Sequence, residues 1–166
     1  MSADDAGTGP ISAVQGTITT VHQYELPLPR AEVWRLISEV SQYRTWWPWL
    51  RSFEGVALAP GEEWCCEVQP PVPYLVRFRV SIEHVEPAVL VRARVGGDVV
   101  GTATLTLSDT DTGCAATLDS SLAPGNRALR LVSRFAAPIA RFGHDWVLDS
   151  GARQFIARAV EPLVGD

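Results

Sequence analysis

Three histidines, His22, His84 and His144, are the groups in this 166-residue chain best suited to exchanging protons near neutral pH. His22 and His84 fall in the inward phase of strand-like alternations, so either could reach an interior, although His84 stands near the end of its segment. His144 falls on the border between the polar and buried sides of a helical stretch. Each also has a plainer reading as a structural or surface residue. Tyr24 and Tyr74 could offer a phenol as a hydrogen-bond donor. An acid-base role therefore rests on His22, Tyr74 or His84, and the sequence contains no convincing catalytic constellation.

Asp145 and Asp149 lie four residues apart, one turn of a helix. Paired carboxylates suit acid-base work, but both fall toward an arginine-bearing side, where solvated salt bridges such as Arg141–Asp145 account for them. No nucleophile-elbow pattern accompanies the serines, and no glycine-rich phosphate loop is present. Cys65 and Cys66, as strand neighbours, point to opposite faces and cannot pair with each other. Their spacing to Cys114 suits no zinc site. Reduced, buried thiols are expected, with neither metal nor cofactor.

The elements that must position these groups are readable from periodicity. Gly16 to Leu26 alternates like a strand, with Ile18, Thr20, His22, Tyr24 and Leu26 on one face, and Pro27 and Pro29 end it. Arg30 to Val40 predicts a short helix with Pro29 at its start and Val33, Trp34 and Ile37 as its apolar stripe. Pro48 stops any continuing helix in the connection that holds Trp46, Trp47 and Trp49. These tryptophans cannot all point inward from one short turn, so Trp46 joins Trp34 in the core and Trp47 or Trp49 sits at a pocket mouth. Strands are predicted from Trp64 to Gln69, Tyr74 to Val85, Val89 to Val95, Val99 to Ser108 and Cys114 to Leu122, joined by short turns as an antiparallel meander. In the longest alternating run Tyr74, Val76, Phe78, Val80 and Ile82 face one way and Arg77, Arg79, Ser81 and Glu83 the other. Asn126 is a good helix cap. Helical periodicity then runs from Arg127 to about Val160, with Pro138 expected to kink or split it.

On that last helix Ala136, Gly143, Ser150 and Ala157 recur every seven residues along the inward side. Small side chains there leave room between helix and sheet, although the same spacing also serves close packing without a void. Ala116 and Ser120, small and inward on the last strand, fit the open arrangement. A cavity so placed would be walled by Trp47, Trp49, Trp64, Phe78, Val80 and Ser120 from the sheet side. From the helix side it would be walled by Phe135, Ile139, Phe142, Gly143, Trp146 and Val147.

Four stretches carry a resemblance. They are Pro29-Arg-Ala-Glu-Val-Trp34 after the first strand, Tyr43-Arg-Thr-Trp46-Trp47-Pro48, the run from Pro70 to Tyr74 into the long strand, and Gly143-His144-Asp145-Trp146-Val147 on the last helix. In order and spacing they are similar to the START-like or SRPBCC superfamily, and within it to the polyketide cyclase/dehydrase-like branch, over about Gly16 to Val160. The resemblance implies an α+β helix-grip fold: a curved antiparallel sheet of about seven strands wrapped around a long C-terminal helix, with two short helices after the first strand. It also implies a cavity for a lipid, polyketide or other apolar ligand. It implies no single activity, because that superfamily includes carriers, hormone receptors, co-chaperone regulators and cyclases.

Composition narrows the partners. Hydrophobic residues make up 46% and charged residues 20%, as in an ordinary globular chain. All 14 basic residues are arginine, the formal net charge is −5, and no basic stripe occurs, so no nucleic-acid partner is expected. No apolar run is long enough to span a bilayer, and the acidic start is no signal peptide, which predicts a cytoplasmic protein. Residues 1–14 read as a flexible tail and residues 15–166 as a single ligand-binding domain. The inward face is overwhelmingly apolar, favouring a binding or carrier protein for an apolar small molecule. The alternatives are a polyketide cyclase/dehydratase-like enzyme using the same cavity and a protein-interaction module docking through exposed tryptophans. The expected assembly is a monomer or a homodimer.

Overall fold

The computed structural model describes residues 16–71, 73–135 and 137–165, with residues 132–135, 137–140 and 142 described by their backbone alone. The tail read over residues 1–14 lies outside them.

The first strand, β1 (Ile18–Leu26), leads through prolines into α1 (Arg30–Ile37), a single turn at Val40–Gln42, and α2 (Tyr43–Trp46). Six strands follow: β2 (Leu50–Glu54), β3 (Glu63–Val68), β4 (Val76–Glu86), β5 (Leu90–Gly97), β6 (Val99–Thr110) and β7 (Gly113–Pro124). All seven form one antiparallel sheet in the order β1-β7-β6-β5-β4-β3-β2. The chain thus meanders from β2 to β7 and closes by laying β1 beside β7. The sheet curls into a half-barrel around the C-terminal helix, which is the helix-grip arrangement. At Gly101 the φ of +150° and the closeness of β7 both require glycine, since a Cβ there would fall on the Ser121 carbonyl oxygen.

The sheet leads into α3 (Arg127–Phe135), whose first turn is capped as expected: the Leu129 N–H donates to Asn126 Oδ1 at 2.8 Å. Helical backbone is described again from residue 137, as α4 (Ala137–Phe155), which carries Pro138; the kink or split expected at that proline adjoins residue 136, which lies outside the described residues. After α4 the helix widens into one π-turn at Ile156–Val160 and ends in α5 (Glu161–Val164). No helix among the described residues is long and apolar enough to cross a membrane.

The main core lies where α1, α2 and the end of α4 meet the sheet. Val33, Leu36, Tyr43, Trp46, Leu107, Phe155 and Val160 are buried together there. Three features depart from the simple periodicities. A register shift between Ile82 and His84 bulges β4, so the inward phase passes to Val85 and His84 is exposed. The π-turn inserts one residue into the helical phase, so Ala159 and Val160 are buried while Ala157 is exposed. Finally, β2 was not anticipated. It is an edge strand of five residues, and a second register shift puts Leu50 and Phe53 inward, three apart, which hides its alternation.

Candidate functional site

Between the inner face of the sheet and α4 lies a cavity of about 380 Å³. Trp64, Phe78, Val80, Val95, Ala103 and Leu118 form much of its sheet side, and Gly143, Val147 and Leu148 face them from α4. Tyr43, Trp47 and Trp49 close one end, while Ile18, Leu122, Pro124 and Leu129 stand toward the other. No Arg, Asp or Glu is found among the described lining residues. A shallower depression of about 440 Å³ opens on the outer side of β2–β5, but its charged walls are tied up in surface pairs such as Arg77–Glu67 (2.6 Å).

Trp47 and Trp49 are pinned rather than loose. Their rings stack at 5.8 Å, the Trp47 Nε1–H donates to the Gly151 carbonyl (2.9 Å), and the Trp49 Nε1–H donates to Gln154 Oε1 (2.8 Å). Gly151 permits this approach, since a Cβ there would stand 3.3 Å from the Trp49 ring. Both indoles are half-buried along the cavity, whereas Trp46 is 5% exposed in the core.

One stretch of the wall is polar. Thr20 on β1 and Ser120 on β7 are paired across the two strands, and their hydroxyls lie 3.0 Å apart. His144 Nε2 on α4 comes down on both, 3.1 Å from Thr20 Oγ1 and 3.4 Å from Ser120 Oγ. Ser120 and His144 line the cavity. Beyond the cavity, on the next side of α4, His22 bridges Asp145 (3.4 Å) and Asp149 (3.6 Å), and the Tyr24 hydroxyl donates to Asp149 (3.0 Å). Burial, with the Asp149 contact, pushes the Tyr24 hydroxyl well above its ordinary value. No group of three His, Cys, Asp or Glu among the described residues has the geometry of a metal site.

The family model for polyketide cyclase / dehydrase and lipid transport proteins matches residues 17–160. The chain belongs to that family. Its fold agrees. The Zhui aromatase/cyclase from Streptomyces sp. R1128 superposes with a TM-score of 0.65 at 12% identity, covering 87% of this chain and 98% of that one. TTHA0849 from Thermus thermophilus gives a TM-score of 0.64 at 14% identity, covering 86% and 99%. Protein Ms6760 from Mycobacterium smegmatis gives 0.63 at 20% identity, covering 84% and 88%. At such identities the likeness is one of fold. No curated protein matches the chain in sequence.

In this member of the family, Trp47, Trp49, Trp64, Phe78, Val80, Ser120, Gly143 and Val147 stand on the cavity wall, as does Tyr74. Burial raises the Tyr74 hydroxyl above its ordinary value, keeping it a neutral donor. The side chains of Phe135, Ile139 and Phe142 lie outside the described residues. Trp146 is half-buried but is not on the wall: at about 100° per residue it lies some 60° beyond Gly143, away from the arc of His144, Val147 and Leu148. His22 faces inward yet meets Asp145 and Asp149 rather than the cavity, and His84 is outside. The carboxylates that the sequence assigned to Arg141 and solvent therefore face β1. Cys114 is buried and Cys66 lines the cavity, its thiol pushed up to about 12 by burial and then by Cys65. Cys65 is exposed, contrary to the expectation for all three thiols, because it takes the outward phase of β3.

His144 is the group that sequence reasoning undervalued. Its signal was the pair of inward hydroxyls at Thr20 and Ser120, which need a polar neighbour if buried. Burial holds its imidazole below the ordinary histidine value; Asp145 pulls the other way, and the charges of His22 and Arg141 add to the effect of burial. The ordinary value is about 6.5. Just below it the unfolded chain binds a proton that folded His144 does not. This contribution to stability is therefore complete above about pH 6.5 and is lost as pH falls through the folded value. Melting temperatures recorded between pH 7.5 and 5 are expected to fall more steeply for the wild type than for His144→Gln. Equal slopes would mean that the ring is solvated in the folded protein.

Proposed function

We propose that residues 15–166 act as a single carrier or binding domain for an apolar small molecule held between the sheet and α4. The observation that carries this reading is the cavity of about 380 Å³ with aromatic and aliphatic walls and no described Arg, Asp or Glu on them. A volume in this range suits a compact drug-sized molecule, and a largely apolar wall with a few convergent polar groups is the usual form of such a site. The family, whose description joins cyclases and dehydrases with lipid transport, supports the same reading. The net charge of −5 speaks against a nucleic-acid partner. The test is native mass spectrometry of the purified protein, followed by denaturation and analysis of what is released. A stoichiometric apolar compound is expected. An empty protein that also takes up no apolar probe would refute the reading.

A second reading, a cyclase/dehydratase-like enzyme, is favoured by one observation: Ser120, His144 and Tyr74 all stand on the cavity wall. Held against a flexible polyketone, such a wall could fold the substrate and exchange a proton with it. Here His144→Gln should lose turnover of a polyketone substrate while uptake persists. Unchanged turnover removes this reading.

A further inference from the structure

We infer that the cavity selects a neutral, largely apolar ligand bearing a hydroxyl or carbonyl group, which seats on Ser120 beside Thr20 and His144, and that it turns away a carboxylate of the same shape. The inference rests on the carrier reading and specifies its ligand.

The argument begins with hydrogen-bond capacity. Thr20 and Ser120 are 8% and 5% exposed, and their hydroxyls with His144 Nε2 form a closed triangle of contacts at 3.0, 3.1 and 3.4 Å. A hydroxyl has one proton to give and two lone pairs, and a neutral imidazole nitrogen either gives or accepts. If Nε2 accepts from Thr20, Ser120 donates to Thr20 and keeps its lone pairs for an incoming hydroxyl. If Nε2–H donates to Thr20, Thr20 donates to Ser120 and the Ser120 proton is free for an incoming carbonyl. Of the two serine/threonine hydroxyls, Ser120 is the one on the cavity wall, so the free valence faces the ligand. The triangle therefore switches polarity by turning two hydroxyl rotors and one tautomer, with no heavy atom moving.

An anion finds nothing comparable. Among the described lining residues there is no arginine to pair with it. The α4 arginines whose charge reaches this region, Arg141 at His144 and Arg153 at Tyr24, are exposed. Among the described residues, the one carboxylate that acts on His144 is Asp145, which His22 engages on the adjoining side of the helix. Burying a carboxylate with no arginine to pair with it is strongly unfavourable, whereas a neutral group with one satisfied hydrogen bond enters at little cost.

The experiment compares three rigid probes of one shape at pH 7.5, namely naphthalene, 2-naphthol and 2-naphthoate. Binding is followed by isothermal titration and by tryptophan fluorescence in the wild type and in Ser120→Ala. Naphthol is expected to bind about tenfold or more tighter than naphthoate. Ser120→Ala is expected to weaken naphthol about three- to tenfold and to leave naphthalene unchanged, which also reports an intact cavity. Naphthoate binding as tightly as naphthol, or a Ser120→Ala substitution that changes the affinities for naphthol and naphthalene by the same factor, would overturn the inference and leave the carrier reading standing. If none of the three binds, naphthalene included, the carrier reading fails and the inference falls with it.

Discussion

A Gly143→Phe variant is expected to lose capture of apolar probes almost completely, while its melting temperature stays within a few degrees of the wild type. Gly143 is buried on the cavity side of α4, and among the described residues a Cβ built there meets only the Pro70 side chain, at 3.7 Å, an ordinary contact. Gly143 and Pro70 both line the cavity, so a larger side chain would grow into empty space rather than into packed atoms. An aromatic ring there should occupy the ligand's place and bury apolar surface of its own. Gly143→Ala separates the two effects. It should keep binding and gain up to about 1 kcal/mol, since glycine inside a helix is disfavoured relative to alanine by that order. The pair is read by thermal melting and by titration with naphthalene. If the phenylalanine variant binds as the wild type does, the cavity beside α4 is not where ligands go.

The same glycine shows how far the sequence could be read. Its inward phase and its place in a repeat of small residues were visible, because position along a helix fixes direction. What could not be read was whether the sheet would close on it, since void or contact depends on curvature set by seven strands together. Phe78 and Val80 were placed inward by strict alternation, which this part of β4 keeps. His84 was misplaced because a bulge two residues earlier reverses the alternation, and nothing in the local residue types announces it. Ala157 was misplaced by the π-turn for the same kind of reason. Asp145 and Asp149 were read against their helical neighbours, Arg141 above all. Their partners, His22 and Tyr24, are more than 120 residues away in sequence and are brought near only by the wrap of β1 against α4. The polar corner at His144 was half legible for a related reason. Each hydroxyl had the right phase, but the pairing of Thr20 with Ser120 comes from β1 joining β7, the one sheet contact that a meander does not supply.

The tryptophan cluster separates folding from binding within four residues. Trp46 is 5% exposed, meets Phe155 edge-on at 5.3 Å, and sits where α2 joins the end of the C-terminal helix, with Arg158 donating to its carbonyl at 2.8 Å. Removing a fully packed ring of this size costs about 3–5 kcal/mol. In a chain of this length each kcal/mol moves the midpoint by about 2–4 °C, so Trp46→Ala should melt roughly 10 °C or more below the wild type. Trp49 stands one step away in a different environment, half-buried on the cavity wall, stacked on Trp47 and tied to Gln154 by its indole N–H. Trp49→Phe keeps a ring on the wall and gives up that hydrogen bond, at a cost of about 1 kcal/mol, so its melting point should fall by only a few degrees. Its affinity for naphthalene should nevertheless drop several-fold, because the phenyl ring covers less of the wall and no longer holds its angle to the helix. Thermal melting beside titration of both variants checks the division. Loss of stability on Trp49→Phe comparable to that on Trp46→Ala would place both rings in the core. The end wall of the cavity would then be ordinary packing rather than a surface kept for a ligand.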